Sequence, residues 1–283
     1  MSYIALTVLS ALFLGLYDLF KKISVKGKKE VYEILFFYTF IAFLCSFFFV
    51  KDEFLIDFKY VMFVLLKASV ISLSWFLTMK AMSKLDLGAV TPFSLLGTAF
   101  TTIMASIFFD ESIGIIQIGG ILVILIGLFL ISKISKHEKN DESDYKYLWL
   151  LVLSALLSSV SAMIDKHLLI NIDRGPVLFW FFLFLAVIYL CVCLIKNKKI
   201  VFRNFTSNLW IIGIGVCIFL ADFFYYKAVS IDGAFVSIIS IVRKLSVFLS
   251  VVLASVFLKE KYFIKKLLIL LLMFSGLGLI IFL

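Results

Sequence analysis

Few residues in this sequence are equipped for chemistry, and most of those stand inside long apolar runs. Arg243 and Lys244 interrupt one run, Asp222 and Tyr226 another, Trp75 and Lys67 a third. A charged side chain costs about 2.5–3.5 kcal/mol at a bilayer centre, so one kept there marks a pathway or a fixed partner. Arg243 lies nine residues beyond Ala234, about 14 Å along a helix and close to the midplane. Lys244 follows about 100° further round, so both can face one broad cavity. Asp222 is twelve residues from Trp210, about 18 Å, and Tyr226 is one turn further on the same face. Asp222 either neutralises Arg243 or Lys244 as a structural salt bridge or has a substrate or gating role. Lys67 is only seven residues from Tyr60, about 10 Å, so it either snorkels to the interface or joins the pathway. Asp18 lies one turn from Lys21 and Lys22 and reads as half of an interfacial pair.

The motifs that would make an enzyme are missing. The sequence has no zinc-protease His-Glu pattern, no Gly-x-Ser-x-Gly elbow, no nucleotide-binding loop and no paired histidines. His137 and His167 are the only histidines, and Cys45, Cys191, Cys193 and Cys217 all sit in apolar segments as small hydrophobes. No metal, cofactor or disulfide is expected. The formal charge of +9 accompanies no arginine-rich face or aromatic RNA-binding motif. The lysines flank apolar runs, which points to phospholipid headgroups and away from nucleic acid.

The elements that hold these residues follow from composition. Of 283 residues, 64% are hydrophobic and 16% charged, whereas a soluble domain carries about 25% charged residues. A hydrocarbon layer about 30 Å thick needs roughly 20 apolar helical residues per crossing. That rule places ten spans near 3–20, 31–50, 60–79, 87–109, 113–131, 147–165, 176–195, 209–227, 234–258 and 266–282. The fold class is therefore all-α, a polytopic membrane protein, with Tyr3 to Leu19 read as a retained first span. The one convincing linker, residues 132–146, separates a five-helix unit at 1–131 from another at 147–283. Counting loops alternately puts nineteen Lys and Arg on one side and four on the other. Basic loops stay in the cytoplasm, so both termini are expected outside, in a bacterial cytoplasmic membrane.

A half with an odd number of spans re-enters the membrane upside down when repeated, and the sequence carries such a repeat. Leu9-Ser10-Ala11-Leu12 recurs as Leu153-Ser154-Ala155-Leu156, and Lys80-Ala81-Met82-Ser83 as Lys227-Ala228-Val229-Ser230. Gly88-Ala89 matches Gly233-Ala234, and Phe108-Phe109-Asp110-Glu111 matches Phe257-Leu258-Lys259-Glu260. Glu111 precedes Gly127 by 16 residues, as Glu260 precedes Gly276. At the offset of 147 set by Lys80 and Lys227, the counterpart of Asp222 is Trp75. An acid and an indole could thus meet near the symmetry axis, with Tyr17, Tyr38 and Tyr225 nearby and Ser72 one turn from Trp75.

On these motifs the chain resembles the EamA family of the drug/metabolite transporter superfamily along nearly its whole length. The resemblance is most specific at the acid-ended helices, Ile107 to Glu111 and Val256 to Glu260, each followed by a glycine-bearing helix. Gly88-Ala89-Val90-Thr91-Pro92 also looks like the opening of the family's fourth helix; the second half lacks the proline. The resemblance implies two inverted five-helix repeats around a cavity formed by spans 1, 3, 4, 6, 8 and 9, buttressed by spans 5 and 10. Gly127 and Gly276 suit close packing of the buttress, and Glu111, Glu260 and Pro92 suit structural or gating roles. The expected function is a secondary transporter that exports a small amino-acid-like or organic-anion metabolite by alternating access. A lipid or headgroup flippase and a cationic drug exporter are the alternatives. The expected partners are that solute and the bilayer, with the chain working as a monomer or homodimer.

Overall fold

A computed structural model describes residues 2–25, 31–49, 54–109, 114–139, 144–197, 209–229, 231 and 236–282. The helices are α1 (Tyr3–Val25), α2 (Val31–Phe49), α3 (Phe58–Met82), α4 (Leu87–Val90), α5 (Phe93–Phe109) and α6 (Ile115–Lys139). The second half adds α7 (Asp144–Asn171), α8 (Arg174–Asn197), α9 (Trp210–Val229), α10 (Val236–Lys244), α11 (Ser246–Leu258) and α12 (Phe263–Phe282). Ten segments among the described residues are long and apolar enough to cross a bilayer, and the chain is an all-α, multi-pass membrane protein.

Two spans expected as single helices are interrupted. The fourth breaks at Thr91-Pro92, where proline supplies no N–H and the chain re-forms helix through tight bonds from Ser94 N to Thr91 O and Leu95 N to Pro92 O. The ninth breaks at Leu245 with no proline or glycine present: Leu245 N donates to Val242 O, three residues back, at 3.1 Å. Arg243 and Lys244, adjacent in sequence, are drawn to partners on different helices, and the tightened turn accommodates both. Several helices also outrun the expected spans, among them α6 through Lys139 and α7 from Asp144. Helical hydrogen bonding does not stop where hydrocarbon does.

The packing is organised by exchange between halves. Helix α1 packs along α9 as α7 packs along α3; α1 rests on α11 as α7 rests on α5; α9 meets α2 as α3 meets α8. The pairs α2 with α8 and α6 with α12 are their own counterparts. Swapping the first five spans for the last five leaves this set unchanged. Two hydrogen bonds repeat the relation at atomic scale. Ser10 Oγ donates to Ala221 O at 2.7 Å, and Ser154 Oγ donates to Ser74 O at 3.0 Å. Ser10 and Ser154 hold the same place in the recurring Leu-Ser-Ala-Leu, and Ser74 precedes Ala221 by the same 147 residues that separate Lys80 from Lys227.

Apolar burial does not drive helices together in lipid, so close contact and hydrogen bonds must. At the α6–α12 crossing a Cβ on Gly276 would stand 2.7 Å from the Gly120 carbonyl and 3.0 Å from Val123. A Cβ on Gly127 would collide with the flexible Met273 side chain. The outer faces of these helices, including Leu122, Ile126, Leu268 and Leu271, are exposed and suited to lipid.

Candidate functional site

Between the halves lies a cavity of about 570 Å³. Its walls come from spans 1, 3, 4, 6, 8 and 9, the helices implied by the resemblance, with Phe181 of α8 added. Arg243, Lys244, Asp222, Tyr226, Trp75 and Lys67 all line it.

Among the described residues, seven formally charged ones line the cavity, and six form three ion pairs. Arg243 Nη2 donates to Asp222 Oδ1, joining α10 to α9. Lys67 Nζ stands 2.6 Å from Asp165 Oδ1, joining α3 to α7, though out of line for a hydrogen bond. Lys21 and Asp18, both on α1, are 3.7 Å apart, and Ser250 of α11 donates to Asp18 at 3.2 Å. Aromatic faces support the cations: Arg243 lies 4.1 Å from the Tyr225 ring centre, Lys67 4.1 Å from Phe181 and Lys21 4.3 Å from Tyr17. The seventh is Lys244. Among the described residues no acid lies within ion-pair distance of it, and its Nζ donates to the Ser94 carbonyl of α5 at 3.0 Å. Arg243 and Lys244 occupy the last turn of α10, where the helix dipole favours cations.

The wall also carries hydroxyl and aromatic side chains. Ser74 Oγ is 2.8 Å from both Ser154 Oγ and Ser158 Oγ, and Thr78 Oγ1 is 2.6 Å from Ser154 Oγ, a ladder that ties α3 to α7. Next to Ser74 on α3, Trp75 packs against Tyr17, Tyr38 and Phe181 with ring centres 5.8–6.3 Å apart.

Glu260 lies outside the cavity and joins the halves. The left-handed turn at Lys259 (φ 55°) ends α11 and redirects the chain. The Glu260 carboxylate then accepts from Leu87 N at 2.6 Å and Gly88 N at 3.0 Å, the first orphan N–H groups of α4, and pairs with buried Lys266 at 3.2 Å. Gly88 is required for this approach, since a Cβ there would meet Glu260 Oε2 at 2.9 Å. Lys22 performs a similar task, donating to the carbonyls of Met82, the last residue of α3, and of Leu85 just after it. Glu111 lies outside the described residues.

Several sequence expectations change here. Lys67 does not snorkel: it is 4% exposed, held inward by Asp165 and Phe181. Asp18 and Lys21 do pair, and both line the cavity, while Lys22 serves α3. Ser72 donates to Ser69 O and its own carbonyl accepts from Tyr189, so it turns away from Trp75's cavity side and Ser74 takes that place. Tyr38 is fully buried behind Trp75 and does not line the cavity. The hydroxyl ladder was not foreseen; the recurrence of Ser154 in Leu-Ser-Ala-Leu was its available signal.

The model of the EamA-like transporter family matches residues 1–133 and again residues 145–282. A crystal structure of another protein is similar over 97% of this chain and 96% of its own, with a TM-score of 0.66 at 13% sequence identity, which shows a common fold. No curated protein matches the sequence. With one match over each packed half, the chain belongs to the EamA-like transporter family of the drug/metabolite transporter superfamily.

Proposed function

We propose that this protein is a secondary transporter that exports a small metabolite bearing a carboxylate or phosphate across a bacterial cytoplasmic membrane by alternating access. Support comes chiefly from Lys244, the cavity cation with no acid within ion-pair distance among the described residues. An anion bound there completes the charge balance, whereas a cation would add to an existing surplus. The hydroxyl ladder and the Trp75 wall then meet the rest of the solute. The pseudo-twofold pairing of spans supports alternating access, because each half has packing partners that allow it to adopt its twin's arrangement.

Lys244→Gln tests the reading in proteoliposomes. The expected result is at least a tenfold loss in uptake of an anionic substrate, about the worth of one charge-assisted hydrogen bond. An unchanged rate and an unchanged preference for anions over cations would remove its basis. The proposed orientation has its own test. A reporter active only in the cytoplasm, fused after Leu283, should stay silent, because the basic loops place that end outside.

A further inference from the structure

We infer that the Glu260 cap of α4 is a latch that opens in every transport cycle and makes the carrier rest with its cavity shut at the Glu260 end, the cytoplasmic end in the orientation proposed above. The inference rests on the alternating-access reading and adds the gate and the resting state.

At this end the cavity stops against packed apolar side chains. Leu19 of α1, Met82 of α3, Leu87 and Val90 of α4 and Val251 of α11 are buried in one cluster, and Met82 and Val90 also line the cavity. Toward the other end the lining residues Asp165, Asp222 and Tyr226 are polar and only half-buried. A solute passing the Glu260 end requires α4 to part from α11, against which it packs. Glu260 follows α11 in the second half, whereas Leu87 and Gly88 open α4 in the first. That separation therefore breaks both hydrogen bonds from the α4 backbone to the carboxylate, the directional part of the seal.

The two ends are not secured alike. The register that aligns Glu111 with Glu260 and Gly127 with Gly276 also aligns Gln117 with Lys266. Lys266 is buried, stands 3.2 Å from Glu260 Oε2 and fixes the carboxylate where α4 begins. Gln117 is neutral and is engaged elsewhere: its Oε1 accepts from Gly114 N at 3.1 Å and its Nε2 donates to Ile280 O at 3.3 Å. Inverted halves carry these two positions to opposite faces of the membrane, so a lysine fixes the acid at one face and a neutral amide takes its place at the other. A carboxylate held in position remakes its bonds with little loss of freedom. The state closed at the Glu260 end is therefore the more populated one.

The test measures distances between paired spin labels by double electron–electron resonance on the whole chain in lipid nanodiscs, with the four native cysteines changed to alanine. One pair, on cysteines replacing Ser83 at the end of α3 and Lys265 of α12, spans the latched end; a second, replacing Ile116 of α6 and Lys227 of α9, spans the opposite end. The parent should show one dominant distance across the latched end, with separated molecules at roughly a tenth or fewer. Glu260→Gln combined with Lys266→Gln strands no charge, and it should raise the ratio of separated to closed molecules at least about tenfold while the opposite end draws together. Gly88→Ala keeps both charges but places a Cβ 2.9 Å from Glu260 Oε2; it should move the ratio in the same direction, and it carries the test if the double variant does not fold. An unchanged single distance in these variants, even with a lower melting temperature, makes Glu260 a static cap and overturns the latch. A parent already separated at this end in most molecules overturns it as well. Separation at the latched end with no movement at the other overturns alternating access and leaves the latch standing.

Discussion

Gly276→Leu is expected to leave little folded protein in detergent. The glycine sits where α6 and α12 cross, and the first carbon of any side chain would stand 2.7 Å from the Gly120 carbonyl. That neighbour is backbone inside a helix and cannot step aside, so the helices must separate along their length. Overpacking costs typically 1–3 kcal/mol and more where backbone is the obstacle; roughly 3 kcal/mol corresponds to a fall of about 5 °C in melting temperature for a chain of this size. Gly278 is the internal control. Two residues further along α12, its Cβ position has nothing within 4 Å, so Gly278→Ala should melt within about 2 °C of the parent. Gly127→Ala should fall between, because the atom it displaces belongs to the flexible Met273 side chain. An unaltered melting curve for Gly276→Leu would show that the crossing is not close-packed.

Glu260→Ala should be comparably severe for an electrostatic reason. It removes the acceptor of Leu87 N and Gly88 N together with the partner of Lys266, a lysine 1% exposed. Breaking a buried pair costs about 3–5 kcal/mol because the remaining charge stays buried. Melting should fall by about 5–8 °C, and the start of the fourth span should become accessible to hydrogen exchange. Glu260→Gln keeps one carbonyl acceptor and loses the charge, so it should lie between. If Glu260→Ala melts like the parent, this cross-half cap does not hold α4.

Much of this architecture is legible in the residues, for identifiable reasons. Hydrocarbon thickness and the internal hydrogen-bonding demand of a helix set span length, so ten spans can be counted from composition alone. The repeat is readable because counterparts such as Ser10 and Ser154 are held by equivalent contacts in each half. Ionisable residues at depth are few and each is expensive, so Asp222, Arg243, Lys244 and Lys67 stand out, and all four line the cavity. What the sequence conceals is mutual arrangement. Lys67 could equally have reached the interface by its distance along α3; only the packing of α7 and α8 against it selects Asp165 and Phe181. Serine hydroxyls in apolar helices ordinarily bond a carbonyl one turn back, as Ser72 does, so nothing local marks Ser74 as the one that crosses to α7. The turn at Leu245 lacks proline and glycine and is specified by partners on α9 and α5.

The interleaving of spans has a consequence for biosynthesis. Since α1 finds its partner in α9, α3 in α7, α2 in α8 and α6 in α12, the segments that leave the ribosome first wait in the bilayer without their mates. They wait as individually stable helices, because a span satisfies its own backbone whether or not its neighbour has arrived. Assembly therefore waits for the second half to be made, and α12 completes the crossing that began with α6. Loss of α12 would leave the earlier helices inserted yet with Gly120 and Gly127 of α6 uncovered.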